Sequence, residues 1–188
     1  ANLSQPQGSN GVQVTLSRNV SIADSVIVGE TGIRAFSSDR LSVRNITHFA
    51  VSLNAFFDGN NLSNVSILDS LAFSVNMQGQ GIGLSTTTRD VWVSNITLVN
   101  VTRGFNLYDV QNVTVSRIAV PSGGWDLGYI QSSSRVAVDS ALAIGGPLWI
   151  TYSSNVTVSN SLLLNSSSYG VYSYSSDFVN LTNVTVLN

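Results

Sequence analysis

The sequence has no cysteine and no lysine, and only one histidine and one methionine in 188 residues. Without cysteine, no disulfide can staple the fold and no thiolate can hold a metal. His48 has no second imidazole to share an ion with, so zinc lacks a ligand set, and the histidine is expected to be an ordinary strand residue. Charge is scarce as well, at 10% of residues, with eight Arg against ten Asp and Glu. A net charge of −2 excludes the basic face that a nucleic-acid binder needs. Apolar runs last only a few residues, so no membrane insertion is expected. Low charge does not imply disorder here, because 43% of residues are hydrophobic, enough for one domain with a substantial core.

What the chain does have is Ser and Thr at 44 positions and 19 Asn. Twelve Asn stand in N-x-S/T sequons, against roughly four or five by chance. That excess points to a secreted glycoprotein, with Asn19, Asn61, Asn64, Asn100, Asn112, Asn155, Asn165 and Asn180 as the glycosylation candidates. A second reading stays open: a repeated Asn-Val-Thr strand motif makes sequons for structural reasons. There is no initiator Met and no apolar leader, so Ala1 reads as the start of a processed chain. Many sequons with no Cys point to an archaeal cell surface rather than a eukaryotic secretory route.

The main signal is a repeat. A V-x-V-like unit begins at Val20, Leu41, Val65, Val91, Val113, Val136, Val156 and Val179, with spacings of 20 to 26 residues. In a strand the first and third residues of each unit face the same side, so these apolar pairs are expected to face a core. The residue between them is mostly small and polar, as an outward column should be. Four residues after each unit's start lies a second column: Asp24, Asn45, Asp69, Asn95, Arg117, Ser140, Asn160 and Asn183. Six of the eight are Asn or Asp, which tolerate left-handed backbone and suit a bend between strands. A second apolar segment follows in most repeats, then a small-residue break and a third short strand. Three strands in ~22 residues leave no room for a helix.

This pattern resembles the right-handed parallel β-helix of pectate-lyase-like and NosD-type repeat proteins, over residues 12–188. The resemblance implies an all-β solenoid of about eight coils with three short strands per coil. It also implies an asparagine ladder, here Asp24, Asn45, Asp69, Asn95, Asn160 and Asn183, bonding from coil to coil. Residues 1–11 form a polar segment expected to contact a neighbouring subunit. Eight rungs at ~4.8 Å would stack to roughly 40 Å. Copper handling, which a NosD resemblance would imply, has only His48 and Met77 to draw on. No cofactor and no metal site are expected.

Carboxylates are sparse for polysaccharide cleavage. Asp24 and Asp69 share the bend column, where a ladder role accounts for them. Asp126, beside Trp125 in the Gly123-Gly124 loop, is the best remaining acid, though an ordinary turn also explains it. Gly79-Gln80-Gly81-Ile82-Gly83 reads as an insertion loop. Trp92 interrupts its polar column, and it and Trp125 are candidates for sugar stacking. Tyr108, Tyr129, Tyr152, Tyr172 and Tyr174 fall in or near third strands as an aromatic stripe, read chiefly as packing. No catalytic constellation emerges, and the chain is read as not an enzyme.

Both ends read as strand with no capping helix, and an uncapped solenoid presents unpaired edges. The resulting expectation is a secreted structural subunit that assembles head to tail into an extracellular filament or surface layer, its partners being itself and covalent N-glycans. The alternative is a carbohydrate-binding or adhesive β-helix domain of a larger surface protein, and behind it a polysaccharide lyase or hydrolase.

Overall fold

The computed structural model describes residues 2–4, 10–50, 55–75, 79–121, 125–166 and 169–187, with side chains from residue 10 onward. Among the described residues there is no helix. They wind as a right-handed parallel β-solenoid, the architecture expected from the repeat. Face 1 carries the V-x-V units as eight parallel rungs in strict register, from Val20 against Leu41 through to Val156 against Val179. Eight rungs make about seven full turns.

The alternation that marks these units in the sequence is what builds the core. From Leu41 to Val158, every first and third residue of a unit is at most 3% exposed. Val20, Ile22 and Val179, on the terminal rungs, are only half-buried. Face 2 follows face 1 and stacks residues 26–28, 47–49, 71–73, 97–99 and their successors. Face 3 precedes face 1 in each coil and includes Thr31–Phe36, Ala55–Asn60 and Asp126–Gln131. Strands run through the corners without a break, as in Arg18–Val28 and Gln80–Val99.

The corners explain the Asn and Asp columns. All eight bend residues from Asp24 to Asn183 have φ between 48° and 58°. Left-handed backbone strains ordinary residues, and Asn and Asp bear it best. A second left-handed column sits just before each V-x-V unit and contains Asn19, Asn64, Asn112 and Asn155. Coil-to-coil bonds run along the bend column: Asn45 Nδ2 donates to Asp24 Oδ1 at 2.8 Å, Asn95 to Asp69 at 2.8 Å, and Asn183 to Asn160 at 2.9 Å. All these side chains are exposed, so the ladder lies on the outer surface.

Inside the corners the ladder is made of hydroxyls. Ser133 Oγ accepts the Val110 N–H at 3.2 Å, Ser153 Oγ accepts the Ser133 N–H at 3.1 Å, and Ser176 Oγ accepts the Ser153 N–H at 3.1 Å. Each hydroxyl donates in turn to the carbonyl two residues before it. Ser70 and Ser161 serve the other corner for Ile46 and Ala141. Buried N–H groups at a bend have no strand partner, and these serines supply one.

One local expectation changes. Residues 79–83 are not an insertion loop: Gln80–Val99 is one strand, with Gly81 packed inward against Leu98. The strand Asn2–Ser4 pairs in parallel with residues 26–28 of its own chain, extending face 2. Met77, Gly123 and Gly124, the remainder of residues 1–9, and Asn188 lie outside the described residues.

Candidate functional site

Face 3 gathers the chemistry. Its strands alternate, so one side chain in two points outward, and parallel register stacks these into columns. The central column reads Gln13, Arg34, Asp58, Gly83, Asn106, Tyr129, Trp149, Tyr172 from the first rung to the last. Beside it runs the shorter series Gln80, Arg103, Asp126.

Asp126 is the hub. Its Oδ1 accepts the Trp149 indole N–H at 2.7 Å, and its Oδ2 faces Arg103 Nη2 at 3.3 Å. Arg103 in turn lies over the Tyr129 ring, with Cζ 4.1 Å from the centroid. Tyr129 stacks on Trp149 at 5.5 Å and 15°, and Trp149 meets Tyr172 at 4.8 Å and Tyr169 at 6.5 Å. Cation–π contact and ring stacking of this kind stabilise by ~0.5–2 kcal/mol per pair. Burial raises the Tyr129 phenol above its ordinary value; the Asp126 carboxylate raises it further and Arg103 opposes both.

Next to the hub is a recess of about 300 Å³ lined by Gly79, Gln80, Thr102, Arg103, Trp125 and Asp126. Trp125 is 75% exposed and forms an apolar wall beside polar groups that converge on the same space. Gly83 leaves the centre of the face low, and the Gln80 side chain lies across it. At the far end Arg34 pairs with Asp58 at 3.1 Å and lies over the Phe36 ring.

The expected site residues therefore divide. Trp125 and Asp126 meet in the recess. Trp92 does not: it stands 59% exposed on face 1, between Ser66 and Thr114. Of the tyrosine stripe, Tyr129 and Tyr172 join the central column, while Tyr152 sits at a left-handed corner against Tyr174. Trp149, at the centre of the aromatic column, was not singled out in the sequence, although its 20-residue offset from Tyr129 matches the repeat. His48 points into the core from face 2, fully buried, with Nε2 3.0 Å from the Gly29 carbonyl. The sequon residues Asn19, Asn61, Asn64, Asn112, Asn155, Asn165 and Asn180 are exposed, and Asn100 is half-buried. Asn64 and Asn112 donate Nδ2 to Asp39 and Asp90 at 2.7 and 2.6 Å. No group of three or more His, Cys, Asp or Glu placed to hold a metal occurs among the described residues.

No protein-family model and no curated protein matches the sequence. Solved structures match in backbone. The catalytic domain of a GH87 α-1,3-glucanase, in complex with nigerose, aligns with 90% of this chain and 46% of its own, at 12% identity and a TM-score of 0.42. The endo-xylogalacturonan hydrolase of Aspergillus tubingensis aligns with 98% of this chain and 84% of its own, at 8% identity and 0.29. HetL, a pentapeptide repeat protein of the cyanobacterium Nostoc, aligns at 9% identity and 0.30, covering 97% of this chain and 89% of its own. The chain thus spans less than half of the glucanase domain. At these identities the likeness is one of fold. It nonetheless corrects the expectation of a chain that is not an enzyme. Two of these three coil-stacked structures are glycoside hydrolases, and a sparse carboxylate census in the sequence does not set catalysis aside.

Proposed function

We propose that this solenoid recognises an uncharged glycan along face 3, as a carbohydrate-binding domain working outside the cell. The observation that carries the reading is the Asp126 hub beside exposed Trp125. An aromatic wall next to converging amide, hydroxyl and carboxylate groups suits a sugar ring, which has an apolar face and a polar edge. Both cations of the face, Arg34 and Arg103, already face carboxylates on neighbouring rungs. An acidic glycan would find no free cation there, whereas a neutral one meets a surface whose charges cancel.

The test is a glycan array followed by calorimetry on the hits. Uncharged oligosaccharides should bind and uronate polymers should not. Trp125→Ala should weaken binding by 10-fold or more, about 1.4 kcal/mol. Binding restricted to uronates, or untouched by Trp125→Ala, would overturn the reading. Release of new reducing ends from a bound glycan would show that the face cleaves what it holds.

A further inference from the structure

Face 2 offers a surface of a different kind. Its outward side chains form two columns totalling fifteen residues over eight rungs, with Ile27, His48, Leu98 and their equivalents pointing inward between them. The outer column includes Val28, Phe49, Phe73, Val99, Ile144 and Leu164. Phe49 is 44% exposed and stacks flat on Phe73, with centroids 5.5 Å apart at 4°. Neither column holds a charged residue among the described residues, and the polar rim of Asp24, Asn45, Asp69 and Asn95 runs along one side.

We infer that face 2 is the contact surface for a second copy of this chain. Twelve of the fifteen are apolar, the others being Thr47, Thr97 and Thr185, and soluble monomers rarely expose so long a mainly apolar strip without a partner. Two identical copies have the same rung spacing, so side-chain rows on one sheet can settle between rows on the other, as in a β-sandwich with sheets ~10 Å apart. A two-fold contact sets the strip against itself, and a strip free of charge has nothing to repel. Standard interfaces use ~20–30 residues and about 800 Å² per partner. Fifteen side chains supply about half to three quarters of that set, which fits a reversible dimer rather than a permanent one. Face 3 lies on another side of the coil, so pairing leaves each copy's recess open.

Sedimentation equilibrium of the full chain from low micromolar to millimolar concentration should show a monomer–dimer equilibrium. Phe49→Glu and Leu164→Glu, each on the outside of the coil, should raise the dissociation constant at least 10-fold with an unchanged circular dichroism spectrum. Trp92→Ala, on face 1, should leave it unaltered. Because the chain has no cysteine, Val99→Cys near the middle of the strip should form an intermolecular disulfide on oxidation, while Ser21→Cys on face 1 should not. This second readout holds even if a Glu variant fails to fold. A chain that stays monomeric throughout, or a dimer indifferent to both Glu variants and not cross-linked at Val99→Cys, overturns the inference.

Discussion

Gly81 and Leu98 share one volume: a methyl group on Gly81 would lie 2.2 Å from Leu98 Cδ1. The same exchange recurs around the coil. Gly11 leaves room for Ile27, Gly32 for His48 and Gly104 for Val120. Two rungs invert it, one with Leu127 at the glycine position and Ala143 at the large one, the other with Phe56 at the glycine position and Ala72 at the large one, both fully buried. Ala72→Leu should overpack that rung by ~1–3 kcal/mol, and Phe56→Gly should leave a cavity costing at least ~3–5 kcal/mol. The double variant should be less destabilised than the two losses added together, with a coupling of ~1–3 kcal/mol in denaturant titrations. Strict additivity would refute the compensation.

His48 makes stability depend on pH. Burial holds its imidazole below the ordinary value, with the Gly29 carbonyl opposing the shift. The unfolded chain therefore takes up the proton first as pH falls through ~6.5. Stability is full above that point and is lost towards the lower folded value, by up to ~1.4 kcal/mol per unit. Thermal melts at pH 7.5 and 5 should separate for the natural chain and converge for His48→Leu, since this is the sole histidine. Hydrogen bonds from Asn64 and Ser63 hold the Asp39 carboxyl below its usual range, and bonds from Ser159, Asn160 and Ser140 do the same for Asp139. Their contribution is lost only in stronger acid, below about pH 4.

At two left-handed corners the side chain is apolar and almost wholly exposed. Leu16 and Phe178 have φ of 50° and 54°, and both side chains are 81% exposed. Neither gains packing to offset left-handed strain of ~1–2 kcal/mol. Leu16→Asn and Phe178→Asn should each raise the melting temperature by ~2–4 °C per kcal/mol recovered. An unchanged or lower value for both would contradict the corner assignment.

Ser133 is the reverse case, a small residue with a large role. Ser133→Ala would strip the Val110 N–H of its acceptor in a buried corner, at a cost of ~1–3 kcal/mol. Hydrogen exchange at Val110 should quicken in that variant. Exchange matching the natural chain would mean that the hydroxyl column is dispensable.

Glycan occupancy gives an independent check on the outer ladder. The Nδ2 atoms of Asn45, Asn64, Asn95 and Asn112 are engaged by carboxylates. If the protein from its native source carries N-glycans, peptide mapping should find them at Asn19, Asn155 or Asn165 in preference to these four. Heavy occupancy at the four would contradict that order.

The register of face 1 was legible because alternation there is regular: apolar in at all eight units, and polar out at every unit except those of Trp92 and Ala137. The bend column was legible because left-handed φ narrows the choice of residue. Face 2 hid in plain view. Leu162-Leu163-Leu164 looks like any fully buried strand, and periodicity cannot tell a strand buried on both sides from one apolar on both sides. The hydroxyl ladder was invisible for another reason: Ser133 and Ser153 look like loop filler until their bends are known to face inward. The Asp126–Trp149 bond joins residues 23 apart. It is found only when each coil's length is counted, and those lengths vary from 20 to 26 residues.

Because every rung rests on the next coil in the chain, a residue's partners lie some 20–26 positions away. In a chain of 188 residues this gives a relative contact order of about 0.12, nearer to mixed α/β domains than to sandwiches built from distant strands. Such a chain can zip up from any coil that forms first. It can also lengthen over evolutionary time by copying one coil, since a new turn has only its two neighbours to satisfy.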